Sequence, residues 1–198
     1  MRYFTADTHF FHEDLLGKND FAPRLFENIS KMHEAMIKNW NAVVTASDEV
    51  YLLGDVALHP QHEAGFPEIL ELLEQLNGKI IFIKGNHDSR RFFNYLKRHD
   101  LKNKFSFADV GLILKFQHHQ FFLTHYPLLL GITKNSINLH GHIHHTMLPI
   151  KENINVGIDA PEREFLTPQL AFGTPISENY LLEIYEKKAE ELAKLAEI

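Results

Sequence analysis

The chain contains no cysteine. That rules out a disulfide framework and fits a reducing compartment, so a cytoplasmic protein is expected. No apolar run approaches the ~20 residues that a membrane-spanning helix needs, and no membrane partner is expected. Positive charge is also scarce: 20 Lys and Arg stand against 26 Asp and Glu, for a net charge of -6. A general electrostatic hold on nucleic acid rests on basic patches, and nothing in this balance supplies one. Internal repeats and low-complexity linkers are missing, and 198 residues are too few for two comfortable domains. One domain over residues 1–198 is expected. A cleavable leader is not, because its removal would take away a motif that starts at Asp7.

Histidine is abundant, with 14 residues, in a chain of ordinary 44% apolar content. Five of the histidines fall in short polar motifs: Asp7-Thr8-His9, Gly54-Asp55, Gly85-Asn86-His87-Asp88, Thr124-His125 and Gly141-His142-Ile143-His144. Each motif follows a run that reads as a buried strand: Arg2 to Ala6, Val50 to Leu53, Ile80 to Lys84, Phe121 to Leu123 and Ile137 to Leu139. Carboxylate, imidazole and amide groups would then collect at one sheet edge. The glycines before Asp55, Asn86 and His142 would let the backbone turn sharply there.

These donor types suit divalent cations. Imidazole and carboxylate without thiolate favour manganese, iron, zinc, cobalt or nickel. Manganese is the first expectation. A carboxylate such as Asp55 can bridge two ions, and a two-metal site suits in-line displacement at phosphorus. Paired cations neutralise phosphate oxygens and lower the pKa of a shared water, giving hydroxide as the nucleophile. The leaving oxygen needs a proton, and His87 is the motif residue best suited to give it.

In order and composition the five motifs resemble the calcineurin-like metallophosphoesterases, whose pattern is D-x-H, G-D, G-N-H-D/E, H, G-H-x-H. The resemblance runs from Asp7 to His144. It implies one metal held by Asp7, His9, Asp55 and His144, and a second by Asp55, Asn86, His125 and His142. It also implies that His87 lies beside the substrate phosphate and that Asp88 positions it; the competing role for Asp88 is to cap the helix that follows at Ser89. The protein phosphatases of the family read G-D-x-x-D-R-G, whereas this chain reads Gly54-Asp55-Val56-Ala57-Leu58-His59, which argues against phosphoprotein substrates. Asp7-Thr8-His9-Phe10-Phe11-His12, with Asn39-Trp40-Asn41, looks more like a group of small bacterial and phage phosphoesterases.

Periodicity supplies the remaining elements. A helix from about Ser30 would bury Met32, Met36, Trp40 and Val43, and a helix from Pro67 to Asn77 would present Leu70, Leu73 and Leu76 and end at Gly78. A short helix over Ser89 to Arg98 is expected next. Strands are expected at Phe105 to Val110, Leu112 to Phe116, Gln120 to Thr124, Ile137 to His140, Met147 to Ile150 and Ile154 to Val156, with a hairpin turn at Gln117 to His119. Residues 177–198 read as a charged helix with Leu181, Tyr185, Leu192 and Leu195 on one side. Strands that alternate with helices first, then hairpin-rich strands, suggest an α/β fold: a four-layer α/β/β/α sandwich of two stacked mixed sheets with flanking helices, which is also the family's.

His12, Arg24, His59 and Arg90 are candidate substrate contacts, with Lys18 and Arg91 behind them, since guanidinium groups suit phosphate. Taken singly, each competes with a solvated surface role. His118 and His119 read as exposed turn residues, His140 as pointing into the opposite layer, and Trp40 as core, with Asn39 and Asn41 anchoring a loop near the site. The functional expectation is hydrolysis of phosphomono- or phosphodiester bonds in a small substrate, a nucleotide among the candidates. A nuclease acting on DNA or RNA is the alternative, and would want basic or aromatic surface extensions. A non-catalytic scaffold is the lesser one, and predicts eroded motifs.

Overall fold

Side-chain alternation in three short strands sets the layering. β1 (Arg2–Thr5), β2 (Glu49–Leu53) and β3 (Lys79–Ile83) are parallel neighbours. Successive residues on a strand face opposite sides. Tyr3, Val50, Leu52, Ile80 and Phe82 therefore enter one apolar core, while Phe4, Tyr51, Leu53 and Ile83 enter another. Both faces are covered, which is why these strands read as unbroken apolar runs. The computed structural model describes residues 1–20, 22–58, 63–131 and 133–196.

The first core is covered by α1 (Ile29–Val43), α2 (Phe66–Gln75) and α3 (Arg90–His99). Met32, Met36 and Trp40, then Phe66, Ile69 and Leu73, then Phe92, Phe93 and Leu96 are the residues they bury. Asn28 caps α1 by accepting from Lys31 N, and Ser89 caps α3 by accepting from Phe92 N, both at 3.0 Å. β4 (Phe105–Ala108) adds a further parallel strand, and β9 (Ile176–Ser177) pairs antiparallel with β1, for the order β4-β3-β2-β1-β9.

The second core lies between this sheet and a smaller one. β5 (Gly111–Phe116) and β6 (His119–Thr124) form the expected hairpin, and β7 (Ser136–His140) and β8 (Asn153–Asn155) continue in parallel, for the order β5-β6-β7-β8. Phe121, Leu123, Ile137, Leu139 and Ile154 meet Phe4, Leu53 and Ile83 there. α4 (Leu181–Ala196) adds Leu181 and Ile184 to the same core. Its fully buried Lys188 pairs with Glu162 at 2.7 Å and donates to the Asn153 carbonyl; removing one partner of such a pair costs ~3–5 kcal/mol. The architecture is the expected α/β sandwich of two stacked mixed sheets with flanking helices. Among the described residues no helix is long and apolar enough to cross a membrane.

Several local expectations are corrected. Met147 to Ile150 form no strand, because β7 pairs directly with β8 and residues 141–152 only connect them. The last helix begins at Leu181, since Ser177 is committed to pairing with Tyr3. Its buried line is Leu181, Ile184 and Lys188, and Leu195 is exposed. On α1, His33 is buried where Val43 is not. α2 ends at Gln75, ahead of Gly78.

Candidate metal centre

The loops after β1 and β2 continue side by side past the sheet. Asp7 N donates to Gly54 O at 3.0 Å, His9 N to Asp55 O at 2.9 Å and Phe10 N to Val56 O at 3.0 Å. The loop after β3 joins them through Asp88, whose buried carboxylate accepts from Asp55 N, Val56 N and Gly85 N at 2.9–3.0 Å. His87 N donates to Asp55 Oδ1 at 2.9 Å. The other sheet is tied in by His142 N, 3.0 Å from both Asp7 carboxylate oxygens.

This convergence requires unusual backbone. Asp7, His9, Asp55, His142 and His144 all have positive φ, between 43° and 72°. Left-handed backbone at such residues costs ~1–3 kcal/mol each and concentrates at functional sites. The glycines divide their work. Gly54, with φ of 91°, makes the sharp turn that was expected, whereas Gly85 has no such angle. A Cβ at Gly85 would run into the Asp55 carboxylate and amide, so close approach is what that position needs.

Two clusters of potential ligand atoms result, Asp7 with His9 and His144, and Asp55 with His125 and His142, each within 4.8 Å of one another. Asn86 Oδ1 lies 2.8 Å from His125 Nε2 and 2.9 Å from His142 Nδ1. The clusters adjoin at Asp55, whose Oδ2 is 3.6 Å from His9 Nε2 and 3.5 Å from His125 Nε2. All seven residues singled out in the sequence as potential ligands are thus brought together.

The donor set fits cations. His9 Nε2 is buried with no hydrogen-bond partner among the described residues. His125 Nδ1 is 2.9 Å from the Leu53 carbonyl, which only accepts, so the proton sits on Nδ1 and the Nε2 lone pair faces the oxygens of Asn86 and Asp55. Lone pairs facing one another without a proton between them need a positive charge. Two donors ~2.0–2.2 Å from one ion, at ordinary coordination angles, stand ~3–3.6 Å apart, as Asp55 Oδ2 does from His9 Nε2 and His125 Nε2. Burial is the largest influence on the titrations here. It pushes His9, His125 and His142 down, keeping the imidazoles neutral, and it pushes Asp7 well up, aided by the Asp55 carboxylate and opposed by the His142 N–H.

A second layer of residues orients the cluster. His144 Nδ1 lies 3.2 Å from Asp159 Oδ2, which leaves its Nε2 for a metal. Arg24 is buried at 1% exposure and grips Asp159 at 2.7 and 3.2 Å. The same guanidinium donates to the carbonyls of Asp7 at 2.7 Å and Thr8 at 2.8 Å. Burial works against ionisation of Asp159, but the His144 and Arg24 contacts outweigh it and hold the carboxyl below its usual range. Sequence reading overlooked Asp159. The signal was there: Gly157-Ile158-Asp159 follows β8 much as the other motifs follow their strands.

The remaining candidates are distributed as follows. His87 is exposed, its ring 5.3 Å from that of His9. His12 is half-buried, with Nδ1 3.2 Å from His9 Nδ1. Asp88 ties three backbone amides, and burial pushes its carboxyl up to about 7 against their pull; the cap of α3 is Ser89. Arg24, a candidate substrate contact, is instead enclosed behind Asp7. Arg90 lies on the surface at the start of α3, 3.9 Å from Asp109. His59 falls outside the described residues. Lys18 and Arg91 are exposed. Tyr126, unremarked in the sequence, is half-exposed with its ring 4.5 Å from that of His142. His140 is fully buried, His118 is exposed and His119 half-buried. Trp40 is core. Asn39 holds the Phe172 carbonyl, while Asn41 holds the turn at Asn77, away from the site.

Residues 3–187 match the family model described as calcineurin-like phosphoesterase. The chain is 34% identical over 146 residues to an uncharacterised protein of Methanocaldococcus jannaschii, an alignment covering 69% of this chain and 79% of that one. It is also similar to the crystal structure of a protein of unknown function from Aquifex aeolicus, with a TM-score of 0.64 and 25% identity over 93% of this chain and 98% of the other.

Proposed function

Because the chain belongs to the calcineurin-like phosphoesterase family, we propose that it hydrolyses phosphoester bonds with two divalent cations. Asp7, His9, Asp55 and His144 would hold one, and Asp55, Asn86, His125 and His142 the other. The observation that carries this reading is the placement of Asp55 Oδ2 between His9 Nε2 and His125 Nε2, 3.6 and 3.5 Å away. Manganese is the first candidate, and iron, zinc, cobalt or nickel suit the same donors.

Bound there, the cations would neutralise phosphate oxygens and lower the pKa of water. The chain's own residues do the rest. Buried, neutral imidazoles keep their lone pairs for metal, and Asp88 fixes the loop that presents Asn86 and His87. His87 stands exposed at the rim, its backbone anchored to Asp55, where it can pass a proton to the leaving oxygen. His12, in contact with His9, faces the same rim.

The test compares esters of different leaving-group basicity in manganese. His87→Ala should retain both metals and lose ~10²–10⁴-fold on alkyl esters, and far less on p-nitrophenyl esters. Equal losses on both would sink the acid role of His87.

A nuclease is the second reading, and one observation favours it. Residues 84–104, which include His87 and α3, hold seven of the chain's 20 Lys and Arg and only two acidic residues, Asp88 and Asp100. Binding of a labelled oligonucleotide that weakens steeply with salt, and less steeply in Arg91→Gln/Lys97→Gln, would support it; salt-independent or absent binding would remove it.

A further inference from the structure

A cleft of about 530 Å³ opens beside the metal centre. Its lining comes from loops that follow three strands: residues 22–26 after β1, His145 after β7, and residues 158–172 after β8. The same strand ends deliver Asp7 and His9, His142 and His144, and Asp159. Cleft and centre therefore share one edge of the fold, and in α/β sheets ligands bind outside the carboxyl ends of the strands. Asp159 and Arg24 line the cleft while bracing His144 and Asp7, so the cleft begins one imidazole ring away from the proposed first cation.

Its chemistry is mixed in a particular way. Phe26 and Phe172 form one wall, their rings 5.0 Å apart. Leu25 stands at the rim, 82% exposed, a large apolar side chain without cover. Behind them, Arg163 is 7% exposed and gives Nη2 to the Thr174 carbonyl at 2.7 Å. Gln169 offers both a donor and an acceptor at the opening. A flat, apolar-faced ring with donors and acceptors on its edge fits these walls, and the volume lies in the ~300–1,000 Å³ range of small-ligand sites.

We propose that this cleft seats the nucleobase of a nucleotide ester whose phosphate lies at the metal centre. The inference rests on the phosphoesterase reading and narrows it to nucleoside-bearing substrates. The base lies against Phe26 and Phe172, its polar edge turns toward Gln169, and the pentose crosses the rim beside His145 and Asp159.

Two esters with one leaving group separate the possibilities. Thymidine 5′-(p-nitrophenyl phosphate) and methyl p-nitrophenyl phosphate both release p-nitrophenol and differ in what stays on phosphorus. In manganese, the thymidine ester should show a KM about tenfold or more lower, the scale of one base stacked on an aromatic side chain. Phe172→Ala and Leu25→Glu should each collapse the ratio of the two KM values. Leu25 is exposed, so its variant keeps the test open should Phe172→Ala fail to fold. Turnover of both esters with equal KM overturns the cleft and leaves the phosphoesterase reading standing. If neither diester turns over, p-nitrophenyl phosphate decides the phosphoesterase reading, which fails if this monoester is inert as well, and thymidine itself, titrated by calorimetry, decides the cleft. Saturable binding weakened by Leu25→Glu supports it, and no binding overturns it.

Discussion

Protonation of His33 should loosen the loop that carries Asp7 and His9. The residue is buried on α1, and its Nε2 accepts the Phe11 N–H at 3.0 Å while the rings of Phe10 and Phe11 pack edge-on against it. An acceptor nitrogen must be unprotonated, and burial pushes this imidazole down to about 4, from an ordinary value near ~6.5. The folded state thus prefers the neutral form. Its contribution is complete above pH ~6.5 and is lost as pH falls toward 4, when the unfolded chain takes up a proton that the folded chain refuses. At ~1.4 kcal/mol per pH unit the whole effect is ~3 kcal/mol, of which about 2 kcal/mol is gone by pH 5. Urea unfolding at pH 7.5, 6 and 5, in chelator, would measure it against His33→Gln. The glutamine carbonyl can accept the same N–H and does not titrate. Every other histidine is common to both proteins, His140 included, so the difference isolates His33. The parent should lose about 2 kcal/mol more than the variant between pH 7.5 and 5. Parallel losses would refute the latch.

Two further outcomes follow from the second layer and the close contacts. Asp159→Asn should weaken manganese ~10–100-fold at the cluster of Asp7, His9 and His144, while the cluster of Asp55, His125 and His142 changes little; a manganese titration followed by electron paramagnetic resonance would resolve the two. Uniform weakening of both would show that Asp159 acts on the fold at large. Gly85→Ala should abolish metal binding at Asp55 with the helical core intact, because the new methyl displaces the carboxylate; retention of two metals by elemental analysis would contradict the close-approach reading.

Much of the candidate centre was legible because its potential ligands come in short motifs that each end a strand. A chain that leaves a sheet must turn there, so a polar Asp-x-His or Gly-His-x-His after an apolar run announces a sheet edge as well as a donor. The helices and parallel strands were readable for a similar reason, since burial of both sheet faces writes continuous apolar runs. What escaped were features that depend on a partner far along the chain. Arg24 looked like a surface cation suited to phosphate, yet it is enclosed by Asp159, 135 residues away. Val43 fits the apolar spacing of its helix as well as Met36 does, yet as the last residue of that helix it is left exposed. Met147 to Ile150 could form a strand, but β8 already occupies the edge of β7.

The sequence alone determined the donor types, their attachment to strand ends and hence the stacked-sheet family of this protein, because those are local properties of composition and period. Only tertiary structure decided that Asp159 and Arg24 brace the candidate centre, that Asp88 fastens its own loop to the one after β2, and that a cleft lined by Phe26, Phe172 and Arg163 opens beside it. Those facts are set by which loops meet in space, and loop meeting depends on the packing of both sheets at once.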